Sequence, residues 1–478
     1  MLTPRSADST DLETGNMQQA RDPADTQQPA PPKTHSRSAL AKLLACSVFG
    51  VVLFLLPVSY DGSRTILLGV MSQEIRALIG DNMRFFTAPL FLAGALVAAL
   101  YNLTPIRFAR RLPAADAFIA SHWMWTLLAL VGGIASTLTV FGVGPEWIIG
   151  KSTGVTAYVD VAGTIFVLIG IGCLFLPFLT DYGLLELVGV LLQRPFQKLF
   201  RLPGRATVDT LASWVGSSSI AVIMTGRQYE KGFYTGRESA VIATNFSVVS
   251  IPFVYFTVQV AGIPEYFFPL YGSMIAVCLV CALVTPLLPP LRNVPDRYFA
   301  AAGKKISEDV PANRRRLSWA WERALTVSGS APPPLQSLHR GVVSTIEIFL
   351  TMMPAAMTIE FLALVTYEHT PILQWLTWPF IGLLELMQIP EATAVAPGLL
   401  VGLFDQFVPA IIAGSIEAPV AKFVLAGLSV TQLIFFAESA LLITRSAIPL
   451  NVPQLVAIFA IRTVIALPLL ALIAHLII

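Results

Sequence analysis

Apolar runs of roughly 18–25 residues, each long enough to cross about 30 Å of hydrocarbon, recur along most of this chain. They predict spans at 39–58, 85–103, 122–142, 161–178, 240–261, 267–288, 342–365, 422–444 and 453–478. Between them lie helical patterns that carry too much charge, or too many interfacial residues, to cross. The stretch 63–80 has helical apolar spacing with interspersed charge and reads as a surface helix. Segment 184–200 is amphipathic, with Arg194 and Lys198 on its polar side, and segment 371–388 is Trp-rich and bounded by prolines. Both suit the membrane interface. Two further apolar stretches break at their centres. Segment 207–226 breaks at Gly216-Ser217-Ser218-Ser219. Segment 395–417 breaks at Phe404-Asp405-Gln406-Phe407, between Gly402 and Pro409.

Charge decides how the broken stretches lie. Loops 104–121 (Arg107, Arg110, Arg111) and 180–206 (Arg194, Lys198, Arg201, Arg205) are basic, whereas 143–160 carries only Lys151. The excess of Lys and Arg on cytoplasmic loops then places the N-terminus inside. If 207–226 crossed, the loop with Arg227, Lys231 and Arg237 would face outward and every later loop would be inverted. If it enters and returns, that loop and the long basic loop 290–339 both lie inside. About ten residues per arm reach ~15 Å, half the hydrocarbon core, so a re-entrant hairpin is predicted. The three arginines of 59–84 fall on the assigned outer side, against the rule.

The same order of parts recurs. Span 161–178, interfacial helix 184–200, hairpin 207–226 and two spans form one set. Span 342–365, interfacial helix 371–388, hairpin 395–417 and two spans form another. Each set crosses three times, so the second is inverted relative to the first. Inverted repeats with broken helices meeting at the midplane mark secondary transporters. The predicted fold is therefore an all-α polytopic membrane protein, with about nine transmembrane helices and two re-entrant hairpins in an inverted repeat. Its regions are a polar, disordered cytoplasmic tail (1–38), a three-helix region (39–142), a first repeat (161–289), a cytoplasmic loop (290–339) and a second repeat (342–478).

Composition agrees: 55% hydrophobic and 13% charged residues do not fit a soluble surface. A net charge of +2 gives nucleic acid no footing. Cys46, Cys173, Cys278 and Cys281 all lie in apolar runs, and the Cys278–Cys281 spacing has no neighbouring His or Cys to complete a metal or redox site. They read as free cysteines. Neither a metal site nor a cofactor is expected.

The segments VGSSSIAVIMTGRQYEKGFYTGRESAVIATNFSVVSIPF (215–253) and GLFDQFVPAIIAG (402–414) resemble the YjiH family of bacterial inner-membrane proteins. Those proteins carry the gate domain also seen in nucleoside transporters and ferrous-iron permeases. The resemblance spans most of 160–478. The order of interfacial helix, hairpin and two spans is also similar to concentrative nucleoside transporters, where hairpin tips and the helices after them hold the nucleoside. It implies a substrate site built from Ser217, Ser218, Ser219, Asn245 and Ser247 of one half and Asp405, Gln406, Glu438 and Ser439 of the other. Serines stand here where the nucleoside transporters carry an amide and a carboxylate at the first tip. The same analogy implies a homo-oligomer.

Several of these residues also have a plain structural reading. Glu438 and Arg462 are placed at similar depth on antiparallel spans and could form a buried ion pair, or Glu438 could contact substrate or a proton. Asp405 could cap the returning helix or bind a cation or a ribose-type hydroxyl. Asn245 and Ser247 could join helices by hydrogen bonds. Glu347 and Glu360 read as helix-packing or cavity residues rather than ligands. The predicted function is transport of a small polar, nucleoside-like solute coupled to a proton or sodium gradient. The alternative is a gate-domain protein that transports nothing and serves an assembly or signalling partner. Enzymatic activity is not expected, because a serine nucleophile in the GSSS run needs a histidine in reach and no predicted span supplies one.

Overall fold

The computed structural model describes residues 37–60, 63–103, 123–215, 218–303 and 315–478. The predicted tail up to residue 36 and all of the basic loop 104–121 lie outside them, as do Gly216 and Ser217. The protein is an all-α membrane protein. Among the described residues, the one sheet is a two-stranded hairpin, β1 (Pro57–Tyr60) and β2 (Ser63–Ile66). It leads into the amphipathic helix α2 (Leu67–Ile79).

Among the described residues, six helical segments are long and apolar enough to cross a membrane. They are α1 (Arg37–Phe54), α3 (Met83–Leu103), α4 (Trp123–Phe141), α5 (Ala162–Thr180) with the π-helical turns Lys151–Val161 before it, α11 (Phe267–Val284) with its flanking turns, and α19 (Val452–Ile477). Between α5 and α11 lie the interfacial-type helix α6 (Leu184–Phe200) and the two arms α7 (Ala206–Val215) and α8 (Ser218–Glu230).

The other three predicted spans are broken helices, and this corrects the sequence reading. The stretch 240–261 is α9 (Gly236–Asn245) and α10 (Ile251–Val260), separated by non-helical backbone. Pro252 sits in the first turn of α10, where its lack of an N–H costs nothing. The stretch 342–365 is α13 (Pro334–Thr351) and α14 (Met353–His369), bent by 46° at a joint next to Pro354. The stretch 422–444 is α17 (Pro419–Thr431), an irregular run with Leu433 in the left-handed region, and α18 (Ser439–Arg445). Hydropathy averages over such breaks, because the residues in them remain apolar.

In the second half, α14 is followed by α15 (Ile372–Leu386), the short turns Ala392–Val395 and Gly398–Val401, and α16 (Val408–Ser415). The hydrophilic segment 290–339 hides a helix, α12 (Arg316–Ser330). It buries Ala320, Ala324, Leu325 and Ser328 along one face and packs on α6 and α1. Lys42 Nζ donates to Ala331 O and Ser328 Oγ to Ala39 O, both at 2.8 Å. The largest apolar core is continuous through both halves, from Ile165 and Val254 to Leu425 and Leu467.

Candidate functional site

Two of the three broken helices meet a predicted hairpin segment. In the first half Ser213 Oγ, on α7, donates to Val248 O in the break between α9 and α10 at 3.1 Å. In the second half the N–H groups of Phe436 and Ala437 donate to Leu403 O and Phe404 O, at 2.8 and 2.9 Å. Gln432 Nε2 adds a bond to Leu399 O at 3.0 Å. Backbone freed by a break is thus satisfied by the neighbouring hairpin, which is what lets non-helical chain persist in an apolar core.

The two halves meet through side chains. Ser218 opens α8 and donates its hydroxyl to Glu438 Oε1 at 2.5 Å. Both residues are buried and lie 220 positions apart in sequence. Asp405, at the tip of the second hairpin, is buried and within electrostatic range of Glu438. Its Oδ1 accepts the Phe407 N–H at 2.7 Å, an Asx turn just before α16 rather than a cap on that helix, whose N-cap is Phe407. Its neighbour Gln406 accepts a bond from Ser429 at its backbone oxygen, while its side-chain Oε1 is buried without a partner.

The remaining predicted residues divide. Ser217 lies outside the described residues, and Ser219 continues α8. Ser247 is buried in the first break, its hydroxyl without a partner. Asn245 is engaged: Oδ1 accepts from Arg462 Nη1 at 2.7 Å and from Thr285 Oγ1 at 2.8 Å. Ser439 turns back on its own chain, donating to Leu433 O at 2.7 Å and accepting from Phe435 N–H at 3.0 Å.

The Glu438–Arg462 pair that depth alone allows is not formed. Arg462 is fully buried. Its Nε donates to Thr431 O and Gln432 O at 3.2 and 2.9 Å, and its Nη2 to Thr431 O at 2.6 Å. These carbonyls end α17, where the helix dipole favours a cation. Nη2 also reaches Cys278 Sγ at 3.7 Å, which gives that cysteine a packing role. All four cysteines are free.

Sequence reasoning undervalued Glu360. It lies on α14, fully buried, with both carboxylate oxygens unpartnered and Asp405 within electrostatic range. The signal was present, since a carboxylate inside an apolar span is costly unless it has a task. A cavity of about 440 Å³ opens beside α14 and α16, lined in part by Arg76, Asp160, Thr164, Glu368 and Ser415. Arg76 donates to Thr164, so this arginine of segment 59–84 is a cavity wall rather than a loop charge. Among the described residues, no group of three or more His, Cys, Asp or Glu is arranged to hold a metal ion.

A family model described as "Gate: Nucleoside recognition" matches residues 162–264, from α5 through α10. An uncharacterised protein of Alkalihalophilus pseudofirmus is 35% identical over 434 residues, covering 91% of this chain and 94% of its own length. No solved structure matches. The broken helices, the hairpins joined to them, the gate-domain match and a full-length relative agree, and the chain belongs to the YjiH family of gate-domain membrane proteins.

Proposed function

We propose that this protein is a secondary transporter of a small polar, nucleoside-like solute, driven by a proton or sodium gradient, in the bacterial inner membrane. Its N-terminus is cytoplasmic, and its nine crossings and two re-entrant hairpins form an inverted repeat. The observation that carries this reading is the Ser218–Glu438 bond, which joins the first hairpin to the second broken helix. A site made by two hairpins and two helix breaks presents free backbone groups and hydroxyls where lipid offers none. Glu438, Asp405, Gln406, Ser247 and Ser218 are its polar lining, and Ser217 and Ser219 join the assignment on their place in the sequence alone. Asn245 and Ser439 are assigned to its scaffold, because their side chains are held by Arg462, Thr285 and local backbone.

The order of elements supports the repeat. Helix α5, then α6, the arms α7 and α8, the broken pair α9–α10 and α11 correspond to α13–α14, then α15, the hairpin ending in α16, the broken pair α17–α18 and α19. In this orientation Lys198, Arg205, Lys231 and Arg237 face the cytoplasm, as the positive-inside rule requires.

The test is thermal stabilisation of the purified protein by uridine, adenosine, nucleobases and pentoses, at two pH values, with and without sodium. A ligand at a hundred times its Kd stabilises by about 2.7 kcal/mol, and Glu438→Gln and Ser218→Ala should each remove most of that shift. If no polar solute moves the melting point of the wild type under any ionic condition, the solute-transport reading fails and a partner-binding gate takes its place.

A further inference from the structure

Arg76 and Asp160 line two cavities. The one of about 440 Å³ is shared with Tyr367 and Glu368 of α14 and Ser415 of α16. The other, of about 690 Å³, runs past Gln73 of α2 and Arg84 of α3. Asp160 precedes Thr180, the last residue of α5, by twenty positions, about 30 Å at 1.5 Å each. That is the full hydrocarbon depth, so the cavities lie at a membrane surface, far from the middle. Arg76, Asp160 and Glu368 are accordingly exposed within them.

The walls are fixed by hydrogen bonds. Arg76 donates to Thr164, whose Oγ1 donates in turn to Asp160 O at 2.7 Å. Gln73 and Gln259 both donate to the Tyr255 hydroxyl, at 2.9 and 2.7 Å, which ties α2 to α10. Ser152, Thr156, Asp160 and Thr164 recur at every fourth position along the π-helical turns and α5, and all four line the smaller cavity. Turns of π-helix are rare and gather at functional sites. The helices ahead of α5 thus complete a cavity that the two repeats leave open.

Its chemistry is mostly that of an acceptor. Thr156 and Ser415 spend their hydroxyl hydrogens on Lys151 O at 2.5 Å and Ile412 O at 2.7 Å, which leaves their lone pairs for a ligand. Ionised Asp160 and Glu368 only accept, while Arg76 brings N–H donors. Such a wall suits a neutral solute rich in hydroxyl donors, with a carbonyl for Arg76 and a flat face for Tyr367. The volume is that of an ordinary small-molecule site. Two carboxylates against one guanidinium oppose a phosphate ester.

We propose that this cavity is a second, surface binding site, which captures the neutral, hydroxyl-rich solute separately from the Ser218–Glu438 site. The identity of the solute rests on the transport reading above; the presence of a site at this surface does not.

Single-cysteine labelling of the full chain in lipid nanodiscs, where both faces are open, tests the site. Ser152→Cys and Ser415→Cys place thiols on two walls, and Glu385→Cys, exposed and off the cavity, is the control. Uridine at about ten times its Kd for the cavity should slow maleimide labelling of both wall thiols about tenfold and leave Glu385→Cys unchanged. Uridine monophosphate should protect none of them. Protection of Ser415→Cys should persist with Glu438→Gln, vanish with Asp160→Asn and return with Asp160→Glu, which separates a lost carboxylate from a lost fold. Protection that disappears with Glu438→Gln overturns the second site, because the wall thiols would then report occupancy of the first. Equal protection by uridine monophosphate, or full protection in Asp160→Asn, overturns the assigned chemistry. If uridine raises the wild-type melting point but protects neither thiol, the surface site falls and the transport reading stands. If it protects both thiols and Glu438→Gln leaves the thermal shift whole, the surface site stands and the mid-membrane site falls. With neither protection nor a thermal shift, both fall.

Discussion

At the scale of single residues, the polar groups in this core separate into those already satisfied and those left over. Arg462 belongs to the first kind. It closes the C-terminal end of α17 through Thr431 and Gln432 and reaches across to Asn245 in the other half. Replacing it with Met leaves those carbonyls buried and unpaired, at about 1–3 kcal/mol for each group stranded. Lys cannot supply the fork that engages three residues at once. Fluorescence melting without ligand should therefore order the variants: wild type, then Asn245→Ala, then Arg462→Lys, then Arg462→Met as the least stable. Equal melting points for Arg462→Met and wild type would remove Arg462 from the scaffold. The sequence placed Arg462 and Glu438 at one depth, and that is all residue counting along a helix can give. Which way each side chain points depends on the break after α17, which no spacing rule announces. Ser439 was misleading for a related reason. Its place beside Glu438 suggests a ligand, but the irregular chain next to it leaves Phe435 N–H and Leu433 O in need of a hydroxyl.

At the scale of elements, long apolar helices such as α4 and α19 were legible because their length and composition have one solution in a bilayer. The amphipathic helix α6 was equally plain, since its charged and apolar faces separate at helical spacing. The breaks were not, because their residues stay apolar and their backbone is satisfied by distant hairpins rather than by neighbours in sequence. Close helix crossings were also hidden. Gly341 of α13 is one: an added Cβ would lie 2.6 Å from Leu174 O and 2.8 Å from Cys173 O, both backbone atoms of α5. Alanine normally stabilises a helix interior by roughly 1 kcal/mol over glycine. Here backbone cannot rotate away as a side chain can, so the two helices must separate and lose packing. Gly341→Ala should lower stability by about 1–3 kcal/mol, read as a drop in melting temperature. Gly272→Ala, with open space around its Cβ, should be neutral or slightly stabilising, and a rise for both variants would contradict a tight α5–α13 crossing.

At the scale of the whole molecule, the ends of the helices fall into two sets joined by contacts within each set. Thr235 bridges Tyr298, Gly226 lies against Ser446, and α12 rests on α6, so these loops share one end. At the other, Glu391 accepts the N–H groups of Glu417 and Ala418, and Gly262 approaches Lys422 Nζ. Asp209, in α7, accepts the Tyr234 hydroxyl just beyond α8, and Glu391 joins the two ends of 391–418. Re-entry of both hairpins, from opposite faces, is therefore testable without knowing the solute. The native cysteines are buried or half-buried, so single exposed substitutions can be read against a quiet background. Lys198→Cys and Lys231→Cys flank the first hairpin, and Glu385→Cys and Glu417→Cys flank the second, all at exposed positions. A membrane-impermeant maleimide applied to intact spheroplasts should label Glu385→Cys and Glu417→Cys, and should reach Lys198→Cys and Lys231→Cys only after the membrane is opened. Labelling that differs between the two members of a flanking pair means that the intervening hairpin crosses the membrane. The repeats would then no longer be inverted, and the hairpin tips would lose the shared mid-membrane site that the Ser218–Glu438 bond supports.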